Sequence, residues 1–173
     1  MKKLTCSLVV FALSVLVSAA ASLSKEDAVA LVKRVEVLQE KVAVGDADTI
    51  LKATHPSVYP MVGGKENYES MTRKSLAFIS ENVTFTETEV SAPAKLYMAG
   101  DKEVCFVPVS AMMEARGMKA RTTSFSIAIR DKGSKEWKFV DGGSVAKDPT
   151  LVKKLLPKLP EDIVLPPSKI EEL

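Results

Sequence analysis

Residues 103–141 read EVCFVPVSAMM, EARGMK, ARTTSFSIAIR, DKGSKE and WKFVD: three apolar-rich runs separated by two short polar stretches, each with one glycine. Parallel strands need a crossover of a dozen or more residues, so connections this short predict an antiparallel meander. In the middle run Phe125, Ile127 and Ile129 share a face with Arg121 and Thr123. The opposite face carries Thr122, Ser124, Ser126 and Ala128, small and mostly polar. In WKFVD, Trp137, Phe139 and Asp141 share one face while Glu136 and Lys138 look outward. Half-buried strands alternate in this way. The inward face is therefore expected to carry aromatic and aliphatic side chains, with Arg121 and Asp141 pairing at strand ends. The run EVCFVPV is different, being apolar on both faces, so its outer side needs cover. A homodimer through the sheet is the expectation, and the proline-rich C-terminal tail is the competing cover.

Helical periodicity fills the region before the strands. Ser24 followed by Asp27 resembles a capping box, and Ala28, Leu31, Val32, Val35, Leu38 and Val42 form a stripe ended by Gly45. Asp46 caps a short second helix to about Ala53, and Pro56 forces His55 out of helical geometry. A third helix starts at Lys65 with Tyr68, Met71, Ser75, Phe78 and Ile79 on one face. NVTFTETEV then begins the strands, and Pro93 confines APAKLYM to an edge. Asp148 with Pro149 opens a last helix through TLVKKLL. Beyond Pro157 the proline-punctuated tail is expected to form no regular structure.

The opening MKKLTCSLVVFALSVLVSAAAS has a basic start, an apolar stretch and the small residues Ala19-Ala20-Ala21, the pattern of a bacterial signal peptide cleaved after Ala21. The competing reading is an uncleaved anchor, since the apolar run approaches membrane-spanning length. Removing Lys2 and Lys3 from the 24 basic residues leaves as many as the 22 acidic ones, so the mature chain is formally neutral. It shows neither the basic patch nor the interleaved aromatics of a nucleic-acid binder, and no apolar run long enough to span a bilayer. Cys105 is the one cysteine left after cleavage, which precludes an internal disulfide. In an apolar strand it reads as a small hydrophobe. No nucleophile, metal or phosphate-binding motif is present, so no metal and no cofactor is expected.

His55 is the single histidine. Its place at the end of the second helix predicts an imidazole bonded to the last free carbonyls. A catalytic histidine needs an acid to orient it, and Thr54, Pro56, Ser57 and Val58 supply none, leaving the distant Asp141.

Three helices followed by a curved meander, with GDADTILKATHPSVYPMVGGKENYESM in front and WKFVDG near the end, resemble the nuclear transport factor 2-like superfamily. The superfamily also contains ketosteroid isomerases and polyketide cyclase-like proteins. The matching features are Gly45-Asp46, the proline-containing loop to Gly64, Glu66, and Trp137 to Gly142, within about residues 24–145. The resemblance implies a cone: helices packed over a curved sheet with a pocket between. In its enzymes an inward acid or histidine moves a proton while a tyrosine or protonated acid donates to the oxyanion. The inward polar candidates here are His55, Tyr59, Tyr68, Arg121 and Asp141, with Phe125, Trp137 and Phe139 as apolar lining. No Tyr-Asp-Asp set or Asp-His pair of those enzymes aligns.

The expectation is therefore an α+β chain: a signal peptide over 1–21, a cone domain over 22–147, and a C-terminal helix and proline-rich tail over 148–173. It is expected in the periplasm or outside the cell, binding a small apolar ligand or a protein partner without catalysis. The alternative is an isomerase, dehydratase or cyclase-like enzyme with His55 or Asp141 as general base.

Overall fold

The computed structural model describes residues 23–148 and 150–173; residues 1–22, on which the signal-peptide expectation falls, and Pro149 lie outside the described residues. In chain order the elements are α1 (Lys25–Ala43), α2 (Ala47–Ala53), a 3-10 helix (Pro56–Val62), α3 (Lys65–Asn82), β1 (Thr84–Val90), β2 (Leu96–Ala99), β3 (Lys102–Ala115), β4 (Met118–Asp131), β5 (Lys138–Asp141), α4 (Gly142–Ala146), α5 (Thr150–Leu155) and β6 (Lys169–Glu172). The class is α+β, with helices followed by a curved, unclosed antiparallel sheet. The caps stand where their residue types put them. Ser24 Oγ accepts from the Asp27 N–H at 3.0 Å, and Asp46 accepts from the Thr49 N–H at 3.1 Å. Gly45, at φ 73°, takes the left-handed turn between α1 and α2, where a Cβ would press on Ser80 and the Leu76 carbonyl.

The β3–β4 hairpin is the frame. Each strand has 14 residues, and four short strands each take part of one edge. On the β3 side, β2 pairs with residues 102–105 and β1 with 109–114. On the β4 side, β5 pairs with 126–129 and β6 with 120–123. A central strand rejects proline because it lacks an N–H. Pro108 is tolerated because it falls in the gap between β1 and β2, where its carbonyl accepts from the Ser91 N–H at 3.0 Å.

Each face of the sheet has its own core. On one, Leu31, Val35 and Leu38 of α1 and Ala53 of α2 pack on Cys105, Val107, Ala128 and Phe139. On the other, Val145, Val152, Leu155, Leu156 and Leu159 pack on Val104, Phe106, Phe125 and Ile127. The C-terminal segment thus covers the outer side of EVCFVPV. This removes the apolar exposure on which the homodimer expectation rested.

Other expectations change. The stretch EARGMK is mostly strand: the turn is only Arg116-Gly117, at φ 52° and 79°, the positive values a two-residue hairpin turn requires. The tail forms β6 after all, because β5 covers only the near part of the β4 edge and leaves 120–123 unpaired. The sheet therefore has six strands. On α3 the inward face runs through Tyr68, Thr72, Leu76 and Ile79, while Met71 and Phe78 are 51% and 55% exposed. Phe125 does not share a face with Trp137 and Phe139. The register aligns Phe139 with Ala128, one residue out of phase with Phe125 and Ile127, so the two sets lie on opposite sides.

Candidate functional site

His55 reaches its position through main-chain pairing. Thr54 makes a parallel bridge with Phe139, and the His55 N–H donates to the Phe139 carbonyl at 2.9 Å. Its Nδ1 accepts from the Ser57 N–H at 3.3 Å and lies 2.7 Å from Ser57 Oγ. The imidazole therefore caps the start of the 3-10 helix rather than the end of α2, because Pro56 at the first helical position leaves the Ser57 N–H needing an acceptor. An Nδ1 that accepts from an N–H is unprotonated, which places the ring proton on Nε2. Burial, foremost, holds the pKa below the ordinary histidine value. Lys102 and Lys138 add to that, while Asp131 opposes it. Asp131 is itself ion-paired with Lys102, across the hairpin.

Asp141 does a similar job at the far end of β5. Its carboxylate accepts from the Gly143 N–H at 3.3 Å and the Ser144 N–H at 3.0 Å, capping α4. Both catalytic candidates are N-caps, and among the described residues no hydrogen bond joins them. Arg121 is not paired with Asp141 either: β5 stops at Ser126, and the Arg121 Nε donates to Met112 Sδ at 3.4 Å on the outer half of the hairpin.

The aromatic candidates divide between the two cores. Tyr59 and Tyr68 meet edge to face at 5.6 Å and pack at the margin of the core that contains Phe125, which meets Phe106 at 5.8 Å. Phe139 and Trp137 belong to the core under α1. Cys105 is buried there, its thiol pushed up to about 12 by burial.

Sequence reading missed the most elaborate polar cluster. Arg130 Nε donates to Glu103 at 2.5 Å, its Nη2 reaches Asp27 of α1 at 3.2 Å, and its guanidinium carbon lies 4.3 Å from the Trp137 ring centre. The side chains of Arg130 and Glu103 are only 9% and 13% exposed. The available signal was positional: Glu103 and Arg130 face each other one residue in from the open end of the hairpin.

Among the described residues, grooves on the surface include two near these elements. One, of about 400 Å³, lies between α1 and the chain following β1, lined by Ala28, Val29, Val32, Lys33, Glu36 and Ala92. The other, about 160 Å³, lies within the C-terminal segment between Val152, Leu159, Ile163 and Leu165. None of the candidate site residues His55, Tyr59, Tyr68, Arg121, Phe125, Trp137, Phe139 and Asp141 lines either groove, although Ala28 and Val32 of the α1 stripe line the first. Among the described residues no helix is long and apolar enough to cross a membrane. No known family, curated protein or solved structure matches the chain.

Proposed function

We propose that this chain is an exported, non-enzymatic binding protein of the nuclear transport factor 2-like type, taking a small apolar ligand or a protein partner. The observation that carries the reading is the dispersal of its polar candidates. His55 caps one helix, Asp141 caps another, and Arg121 lies beside Met112 on the outer hairpin. General acid–base chemistry needs such groups converging on one reacting atom. The groove on α1 is by contrast walled by Val29, Val32 and two alanines, and its 400 Å³ lies within the range of small-ligand sites. The cone-type reading is supported by the helices preceding an unclosed sheet, and export by the leader pattern of residues 1–21.

The test is native mass spectrometry of protein exported by its own host. An apolar molecule or a partner chain retained by wild type and lost from Val32→Asp is the expected result. The intact mass should begin at Ser22. Full-length mass in the soluble fraction would refute the export reading.

A second reading keeps the isomerase, dehydratase or cyclase-like alternative with His55 as general base, its ring oriented by the Ser57 Oγ contact 2.7 Å from Nδ1. Proton exchange at the α-carbon of a ketone probe, catalysed by wild type and lost in His55→Asn at an unchanged melting temperature, would establish it.

A further inference from the structure

The outer half of the hairpin has two edges, and the chain treats them differently. On the β4 side the edge is filled by the chain's own β6, with Glu171 set opposite Arg121 and Ile170 opposite Thr122. On the β3 side it ends at β1, whose other edge has no strand partner among the described residues. Thr84, Thr86, Glu87, Thr88 and Glu89 are all exposed. The register puts Glu87 with Met112 and Glu89 with Ser110, so both carboxylates stand on the same face, two residues apart. Among the described residues neither has an ion-pair partner. Just past the end of β1, Ala92 forms one wall of the apolar groove against α1.

We propose that the free edge of β1, continued by the groove at Ala92, binds an extended basic segment of a partner protein by strand addition. Main-chain hydrogen bonds to the open edge would supply affinity, and Glu87 and Glu89 would select lysine or arginine at alternate positions. Glu36 at the groove adds to this field, and Lys33 offsets part of it. A second copy of this chain does not fit. Antiparallel pairing of β1 with itself about Thr88 would set Glu87 directly opposite Glu89, and like charges opposite one another destabilise a pair. The β6 strand shows in cis what the β1 edge lacks: a strand whose charges oppose those of its neighbour.

The inference rests on reading the chain as a binding protein and names its partner's chemistry. The probe is a fluorescein-labelled peptide alternating lysine with valine and threonine, compared with the same peptide bearing glutamate for lysine. The lysine peptide is expected to bind at low salt and protect the amides of residues 84–90 from hydrogen exchange. The Glu87→Lys/Glu89→Lys variant should bind it at least tenfold more weakly and gain binding of the glutamate peptide. Equal binding of both peptides, no binding of the lysine peptide, or unchanged binding to the variant would each overturn the proposal. Retention of an apolar molecule by the native protein in that event would leave the binding reading standing while this assignment fell.

Discussion

Arg130 sits over the Trp137 ring, its guanidinium carbon 4.3 Å from the ring centre, while its nitrogens hold Glu103 on the next strand and Asp27 on α1. One cation thus joins α1 to the sheet through two carboxylates and an aromatic face. A guanidinium can make these contacts together because its planar fork stacks and donates at once, which an ammonium cannot. Arg130→Met should destabilise by about 3 kcal/mol, the lower end of what breaking a buried pair costs, since Asp27 keeps part of its hydration. Arg130→Lys should lose about 1 kcal/mol through the stacking alone. Urea unfolding of both variants checks this. A pairing of Arg130→Met with Glu103→Leu that recovers most of the loss would locate the cost in the orphaned Glu103.

His55 makes stability depend on pH in a stated direction. Its folded pKa lies below the unfolded value, burial being the main cause and Lys102 and Lys138 adding to it. Above about pH 6.5 both states hold neutral imidazole, and the cap is fully present. As pH falls from there towards the folded pKa, the unfolded chain binds the proton first, so stability falls. Protonated Nδ1 would also cease to accept from the Ser57 N–H. His55→Asn should cost about 1 kcal/mol or less at neutral pH, because asparagine caps as well. It should also remove this part of the acid slope. Denaturant midpoints from pH 7 down to 5 compare the two proteins, and identical slopes would show that the imidazole does not titrate with folding.

What could be read beforehand depended on how local its cause is. The caps at Ser24 and Asp46 and the stop at Gly45 follow from side chains within four residues of the bonds they make, and they stand as read. Strand parity was also local, and Phe125, Ile127 and Ile129 do share a buried face. Register between strands is not local. Trp137 and Phe139 alternate correctly within WKFVD, yet which face they join depends on Phe139 meeting Ala128 rather than Ile127. The same limit hid the Arg130 cluster, in which the contact from Arg130 to Asp27 spans 103 positions of the chain. It hid β6 too, since an isolated KIEE becomes a strand only because the β4 edge is vacant beside it.

Gly142 offers a test of how tightly β5 hands over to α4. A Cβ there would run into the Phe125 ring and the Phe125 carbonyl, well inside van der Waals contact, though the backbone φ itself is unremarkable. Phe125 is 1% exposed and held between Phe106 and the C-terminal segment, so it has nowhere to withdraw. Gly142→Ala should therefore cost about 1–3 kcal/mol by overpacking. Gly143→Ala presses on Ser124 Oγ at 3.0 Å and meets the Asp141 carboxylate at an ordinary 3.6 Å, and should cost less. Thermal unfolding ranks the pair, and an equal effect at both positions would mean the Phe125 contact is not what excludes a side chain.

The cover over EVCFVPV can be removed by truncation. Leu159 reaches the core that contains Val104 and Phe106, and Ile163 and Leu165 pack at its margin. Lys158 lies over Gly100, where a Cβ would press on its Cδ at 2.6 Å. Deleting residues 157–173 takes away these contacts and β6, exposing apolar sheet surface together with the β4 edge at 120–123. Exposed apolar faces and open edges are what drive association. Light scattering should show the truncated chain forming dimers or larger species under conditions where the whole chain does not. Leu159→Asp, which disturbs the cover and leaves β6 in the chain, should fall between the two. A whole chain already dimeric, with an association unchanged by truncation, would place the interface elsewhere and leave the tail as a bystander.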